Sequence, residues 1–396
     1  MEDPKERLVT SVSPAELERR WKAAREVMRD RKIDFLVMRQ DEEFYGGYVR
    51  WFSAITPRHS YPFTVIFPVD DEMTTISSAP PGQGKPPEWS VYGVKKRLGA
   101  PYYPSMHYTN TYDAELAVKV LSEKKGATIG WVGISSLHVN FHQYVTEHLP
   151  GATFVDITDP IDYLKAIKSP EEIELIKGTA ALQDKALDYV RQRIKPGLKD
   201  VDIHAEADYI STKLGCTRLQ VLISSYQPGE QPMGFMGRHF MNRTLREGDH
   251  VTVLLEGNGP GGYYTEIARV FSLGREPTQE TKDMFALALE AQKLNLLLLK
   301  PGANPKDIWD ATNTFLEKRG SDPEGRLYAH GEGYELVERP AIRYDEPMTI
   351  QAGMNLAVHP VAKNSTVWTT LCDNYLVTES GVSECLHKTP KEIFVV

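Results

Sequence analysis

The sequence predicts an α+β chain of two domains: a smaller α/β domain over residues 1–165 and a larger one over 166–396, assembled from two related halves. Three observations carry this. A chain of 396 residues exceeds what a single hydrophobic core usually organises. The first 165 residues alternate helical and strand patterns, the signature of an α/β layer. Further on, Lys195-Pro-Gly-Leu-Lys-Asp-Val-Asp-Ile203 is echoed by Lys300-Pro-Gly-Ala-Asn-Pro-Lys-Asp-Ile308. Each copy follows one long helical pattern, precedes another and leads into hairpin-like strands, which implies an internal duplication with two helices and an antiparallel ribbon per half.

In the first domain Ser13 is an N-cap, Pro14 the first helical residue and Glu16 the partner of a capping box, with Leu17, Trp21, Ala24 and Met28 following at helical spacing. Ile33 to Met38 then reads as a short buried strand. Further strands are expected at Phe63 to Phe67, Met73 to Ser77, Ala127 to Ile134 and Thr153 to Ile157, and helices at Tyr112 to Leu121 and Phe141 to His148. The second domain opens on a capping box at Ser169-Pro-Glu-Glu172, whose helix runs to Ile194 and stops at Lys195-Pro196-Gly197. Strands are expected at Leu219 to Ser225, His250 to Leu255 and Tyr263 to Phe271 in the first half, and at Met354 to Ala362 and Trp368 to Thr378 in the second.

Composition excludes several function classes. With 41% hydrophobic and 25% charged residues the chain is that of a folded globular protein. A net charge of −8 without a Lys/Arg stripe argues against nucleic acid and anionic membrane as partners, leaving a small-molecule substrate. The N-terminus carries no apolar run behind its charges, so no secretory signal is expected, and the longest apolar stretch, Leu296 to Leu299, cannot span a bilayer. Cys216, Cys372 and Cys385 are odd in number and widely spaced, which disfavours a disulfide framework or a zinc ribbon. The expected location is cytoplasmic.

The candidate chemistry lies in the second domain. Glu256 and Glu266 flank a Gly-Pro-Gly turn and could face one pocket from paired strands. Residues 329–333, Ala-His-Gly-Glu-Gly, put His330 among small residues where backbone can approach a ligand closely. His359 precedes Pro360, and Cys372 precedes Asp373. Taken alone, His330 reads equally well as a turn residue, His359 as a strand end and Cys372 as an inert buried thiol. Glu266 is harder to dismiss, because a carboxylate on an otherwise apolar strand needs partners.

These segments, in this order, resemble the creatinase, prolidase and aminopeptidase P family. In its peptidases a hairpin ending Gly-Tyr-x-Ser-Asp-Ile-x-Arg supplies two metal-binding aspartates, a Gly-His-Gly-x-Gly stretch a histidine, and Glu-Pro and Glu-Asp segments two glutamates. Here the counterparts are Gly262-Tyr-Tyr-Thr-Glu-Ile-Ala-Arg269, Ala-His330-Gly-Glu-Gly, Val-His359-Pro and Leu-Cys372-Asp373, with Gly248-Asp249 before the first strand and Val377-Thr-Glu-Ser-Gly381 after the last. The resemblance implies the pita-bread fold over residues 166–396, with pseudo-twofold halves. It also shows departures. Glu266 stands for the second aspartate, His359 for the first glutamate and Cys372 for the last; the first aspartate falls at Leu255 by spacing, or at Glu256 if the hairpin differs by one residue; a second family histidine is Val337.

Two enzymatic readings follow, and a third without catalysis. The first is a metal-free, creatinase-like hydrolase or lyase that cleaves a C–N bond of a small polar substrate, with no cofactor. His239, Glu266, His330, His359 and Glu256 would be its acid–base groups and Tyr263, Tyr264, Cys372 and Arg58 its substrate contacts. His239 is implicated by its place in Gly237-Arg-His-Phe-Met-Asn-Arg243, the loop where creatinases keep a proton-transferring histidine, whereas the glutamate that creatinases place three after the threonine is Ala268 here. The alternative is a metal-dependent Xaa-Pro peptidase in which Glu256, Glu266, His330 and His359 hold a single zinc, iron or manganese ion. The third reading is a non-catalytic binding module of the same fold. The family resemblance further implies a homodimer, its aromatic-rich loop Tyr45 to His59 reaching the neighbouring subunit's site.

Overall fold

A computed structural model of the chain describes residues 11–58, 60–80, 91–101, 106–236 and 242–396. They form two compact units, 11–165 and 166–396.

The first unit runs α1 (Pro14–Asp30), β1 (Phe35–Gln40), α2 (Gly47–Ser53), β2 (Phe63–Pro68), β3 (Met73–Ser78), β4 (Val94–Ala100), α3 (Tyr112–Leu121), β5 (Thr128–Trp131), α4 (Val139–His148), β6 (Thr153–Asp156) and α5 (Thr158–Ala166). Its strands form one mixed sheet in the order β4-β3-β2-β1-β5-β6. Ala114 and Ala117 of α3 and Phe141 and Val145 of α4 pack on Val37, Ile66, Ile76 and Ile129 of the sheet. Ser13 caps α1 as expected, accepting from the Glu16 N–H. The Glu16 carboxylate does not close the capping box; it turns to Arg19 and Arg20. Three elements were not foreseen: β4, whose Val-Lys-Lys-Arg start hides a strand pattern, α2, inside the segment read as an aromatic loop, and α5, which closes the unit.

The second unit continues with α6 (Pro170–Arg191), α7 (Asp200–Leu214), β7 (Leu219–Tyr226), β8 (His250–Asn258) and β9 (Tyr264–Ser272). Its second half has α8 (Gln279–Leu298), α9 (Pro305–Glu317), β10 (Ala329–Gly331), β11 (Glu338–Ala341), β12 (Asn355–Val358), β13 (Val361–Lys363), β14 (Trp368–Thr370), β15 (Asp373–Thr378), β16 (Gly381–Cys385) and β17 (Ile393–Val395). The capping box on α6 is complete: the Glu172 N–H donates to Ser169 Oγ, and the Ser169 N–H to the Glu172 carboxylate. In each half a helix pair covers one face of a sheet. Ala186, Leu187 and Val190 of α6 and Ile203 and Ala207 of α7 pack on Val221, Val253, Leu255, Ile267 and Phe271. Met284, Phe285, Ala288 and Ala291 of α8 and Ile308 and Leu316 of α9 pack on Ala329, Leu356, Val358, Tyr375 and Val377. The chain therefore has the two related halves its internal echo implied and the pita-bread architecture the family resemblance implied.

The sheets, β17-β9-β8-β7 and β11-β10-β12-β15-β16, meet where β9 approaches the start of β15. The Ala268 and Cys372 backbones exchange hydrogen bonds of 3.2 and 3.3 Å, and the Tyr264 N–H donates to the Gly333 carbonyl at 2.8 Å. The two long strands expected in the second half are each broken, at His359-Pro360 and at Leu371-Cys372. Proline has no N–H for a ladder. Both breaks put a polar side chain at the seam.

Candidate active site

The site is built at that seam. On the β8–β9 hairpin Glu256 lies directly opposite Glu266, so both side chains leave the same face. The alternating residues Leu255 and Ile267 point the other way, into the helix-covered core. The hairpin thus carries its first carboxylate at Glu256, not Leu255. From the second half come His330 on β10 and Glu332 just past its end, His359 just past the end of β12, and Cys372 and Asn374 at the start of β15.

These groups are almost wholly buried: Glu256 and Glu266 are 5% and 4% exposed, His330 3%, and Glu332 and Cys372 0%. The Glu266 carboxylate lies 3.3 Å from His330 Nε2. His330 Nδ1 is 3.0 Å from the Gly331 carbonyl, which can only accept, so Nδ1 carries a proton and Nε2 faces the site. The His330 and His359 rings are 5.1 Å apart. Gln220 donates to Glu256 at 3.2 Å, and Asn374 Nδ2 donates to Glu332 while its Oδ1 accepts the Glu266 N–H at 2.8 Å. Two ligand clusters result, Glu266–His330–His359 and Glu256–Glu266–Glu332, each with its donor atoms within 4.8 Å of one another and with Glu266 common to both.

Burial and mutual repulsion set the charges. The Glu256 carboxyl is pushed well above its ordinary range by burial and by Glu266 and Glu332, and Glu332 is pushed up to about 8, chiefly by burial. Burial would raise Glu266 as well, but His359, His330 and Cys372 outweigh it and hold that carboxyl down at about 2. His359 itself is lowered to about 4 by burial. Burial works to lower His330, but the Glu266 carboxylate outweighs it and raises that imidazole. The Cys372 thiol is driven far up by burial and the adjacent carboxylates, which keeps it protonated.

The residues suit a divalent cation. Two imidazoles and a carboxylate are a donor set for zinc or iron(II), and carboxylates alone suit manganese or magnesium. One Glu332 oxygen is buried without a hydrogen-bond partner, as expected of a ligand atom left bare.

Of the residues singled out in the sequence, Glu256, Glu266, His330, His359 and Cys372 are brought together. Tyr263 is buried against Tyr334 and its hydroxyl donates to Glu172 at 2.9 Å, tying the hairpin to the start of α6. Tyr264 is fully buried. Arg58 is exposed on the first unit. His239 lies outside the described residues. Ala268 joins Leu254, Ala357 and Cys372 in an apolar patch beside the carboxylates, with Leu222 and Phe235 packed against it.

Sequence reasoning missed Glu332, although it stands in the Ala-His-Gly-Glu-Gly string two residues past His330 and comes within 4.8 Å of Glu256 and Glu266. It also missed Asp373 and Arg269. Their fully buried 2.6 Å ion pair anchors β9 to β15, and Arg269 donates besides to the carbonyls of Ala268, Cys372, Thr389 and Pro390.

Fold and site together define an enzyme of the pita-bread class. Residues 174–379, more than half the chain, match metallopeptidase family M24, and the chain belongs to that family. Among similar proteins, an Xaa-Pro dipeptidase of Pyrococcus furiosus is 28% identical over 247 residues, covering 61% of this chain and 68% of the relative. An uncharacterised peptidase of Bacillus subtilis is 25% identical over 249 residues, 62% of this chain and 69% of the relative. An X-Pro aminopeptidase structure from Thermotoga maritima superposes over 95% of this chain and 99% of its own with a TM-score of 0.79 at 19% identity, a likeness of fold. Among the described residues no helix is long and apolar enough to cross a membrane.

Proposed function

We propose that this protein is a metal-dependent hydrolase of peptide C–N bonds, acting on small peptides of the Xaa-Pro type, with a divalent ion held by Glu266, His330 and His359. The observation that carries this is the convergence of those three buried side chains within 4.8 Å. The named peptidase relatives support it over the metal-free, creatinase-like alternative.

An ion bound there supplies a Lewis acid for the scissile carbonyl and lowers the pKa of water. This chain's own residues do the rest. Gly331 holds His330 in the tautomer that presents Nε2, and Asn374 fixes the Glu266 backbone and the Glu332 carboxylate together. Glu256, whose carboxyl burial, Glu266 and Glu332 push up, would be the group to hand a proton to a leaving nitrogen. The apolar patch of Leu254, Ala268 and Ala357 excludes water from one side and suits a compact apolar side chain.

The test is metal analysis of the purified protein together with assays on Xaa-Pro dipeptides, longer Xaa-Pro peptides and creatine, before and after exhaustive chelation. The reading expects bound metal, cleavage of an Xaa-Pro substrate and loss of that activity on chelation, restored by added metal. Undiminished turnover by metal-free protein would sink it.

A further inference from the structure

The backbone that carries the site's carboxyl groups is gripped at two places. Gln183 of α6 donates its side-chain amide to the carbonyls of Leu255 at 3.3 Å and Gly257 at 3.4 Å, the residues on either side of Glu256, and to that of Thr265, next to Glu266. Asn374 of β15 accepts the Glu266 N–H and donates to Glu332 and, at 3.2 Å, to Asn355. One grip comes from a helix of the first half, the other from a strand of the second.

A single imidazole joins them. His387, buried between β16 and β17, has Nε2 3.0 Å from Gln183 Oε1 and Nδ1 3.3 Å from the Asn374 backbone nitrogen. A backbone N–H can only donate, so Nδ1 accepts and Nε2 carries the proton. Gln183 Oε1 takes that proton beside the one it accepts from the Thr265 hydroxyl at 2.7 Å. The Asn374 carbonyl accepts the Leu386 N–H at 3.0 Å, but the Asn374 N–H goes to the ring. Burial lowers this imidazole to about 4, so it is neutral and keeps both roles at neutral pH. Asp373, Cys385 and His387 also offer ligand atoms within 4.8 Å of one another. That cluster does not suit a cation, because Arg269 and Lys391 already face Asp373 at 2.6 and 3.3 Å and the Asn374 N–H occupies the unprotonated ring nitrogen.

We infer that His387 is a positioning residue of the active site: its imidazole ties Gln183 to Asn374 and so holds the hairpin bearing Glu256 and Glu266 in register with Glu332 of the second half. The place asks for one rigid, buried group that accepts at one edge and donates at the other, which an imidazole supplies in a single ring. A small misplacement of Glu266 against its partners acts on the reacting geometry and not on the outer contacts of a substrate. Its loss belongs in kcat more than in KM.

The kinetic consequence rests on the metal-dependent peptidase reading, so the test carries a second readout that does not. In the full-length protein His387→Phe keeps a ring without nitrogen, His387→Gln restores a group that both accepts and donates, and Gln183→Met breaks the tie at its other end. With saturating metal and an Xaa-Pro peptide, His387→Phe and Gln183→Met should each lower kcat at least about tenfold while KM moves less than about threefold. The double variant should fall no more than about twofold below the worse single, because the two act as one unit, and His387→Gln should recover part of the His387→Phe loss. Hydrogen–deuterium exchange of β9 and β15 should be several-fold faster in His387→Phe and slower again in His387→Gln. A folded His387→Phe protein with wild-type kcat, or a loss that His387→Gln does not relieve, overturns the inference; if His387→Phe does not fold, Gln183→Met is judged by the same kinetics and exchange. If wild type cleaves no Xaa-Pro peptide yet exchange responds as expected, the proposed function fails and the tie stands. If wild type cleaves and exchange is unchanged in the variants, the tie fails and the proposed function stands.

Discussion

At the scale of single residues, the site depends on which face of a strand a side chain leaves. Glu266 and His330 are joined at 3.3 Å across the seam between the two sheets, and each belongs to a different half. Replacing Glu266 by Gln keeps the shape but removes the charge that raises His330, and replacing His330 by Ala removes the nitrogen facing it. Each substitution is expected to reduce turnover by at least about a hundredfold, as for a positioned acid–base or ligand group. Far-ultraviolet circular dichroism should remain that of wild type, because neither side chain packs in the helix-covered cores; folded variants with near wild-type turnover would displace the site. Much of this was legible in the sequence. Glu256, Glu266, His330, His359 and Cys372 stand out as polar residues in apolar strands or beside glycine and proline. Glu332 was hidden because a glutamate between glycines reads as a turn residue. Tyr263 was read as a substrate contact from the family resemblance; its hydroxyl donates to Glu172 at the start of α6. A tyrosine and a glutamate 91 residues apart offer no local pattern that could announce such a bond.

At the scale of elements, punctuation was the most readable signal. The Pro-Gly ends of the long helices, both with glycine at positive φ, Gly197 at 91° and Gly302 at 86°, fix where each half restarts, because that backbone region is open to glycine at little cost. Strand breaks were less visible. Met354 to Ala362 and Trp368 to Thr378 read as continuous, yet the ladder stops at His359-Pro360 and Leu371-Cys372, where the β9 and β15 sheets must join. Helix α1 gives a test of a different kind. Its N-cap is as expected, but Glu16 is drawn from the capping box into ion pairs with Arg19 at 2.8 Å and with fully buried Arg20 at 2.7 Å, and Arg20 reaches on to the Trp51 carbonyl of α2. Burial works to raise the Glu16 carboxyl, but Arg19 and Arg20 outweigh it and the folded-state pKa is lowered. A depressed carboxyl stabilises the fold fully above its unfolded value, about 4.3, and that contribution is lost as pH falls through the folded value. Glu16→Gln should therefore be less stable than wild type at pH 7 in urea titrations, and the gap should close as pH falls below about 4. A gap independent of pH would mean the ion pairs contribute nothing.

At the scale of the whole molecule, two units were foreseen from length and pattern, but what binds the second one together was not. Its cores are ordinary helix-on-sheet layers, and its seam is polar: Glu266 to Asn374, Asn374 to Glu332 and Asn355, Arg269 to Asp373. Such a network is costly if left partly satisfied. If divalent metal belongs to the native state, it binds the folded seam and not the unfolded chain, and so stabilises in proportion to its saturation, by about 2.7 kcal/mol at a hundredfold excess over Kd. Removing it should also leave the Glu256, Glu266 and Glu332 carboxyls facing one another within the seam. The effect must be local, because every ligand lies between residues 256 and 359. Hydrogen–deuterium exchange is the measurement suited to it. On chelation, amides of β8, β9, β10 and β12 should exchange at least several-fold faster, reflecting easier opening of the seam, while those of β1, β2 and β5 in the first unit hold their protection. Restoring zinc or manganese should bring the slow exchange back. Protection unchanged by chelation, in protein verified to have lost its metal, would mean the polar seam holds by hydrogen bonds and shared protons alone, and that the raised pKa of Glu256 and Glu332 is how the carboxylates tolerate one another.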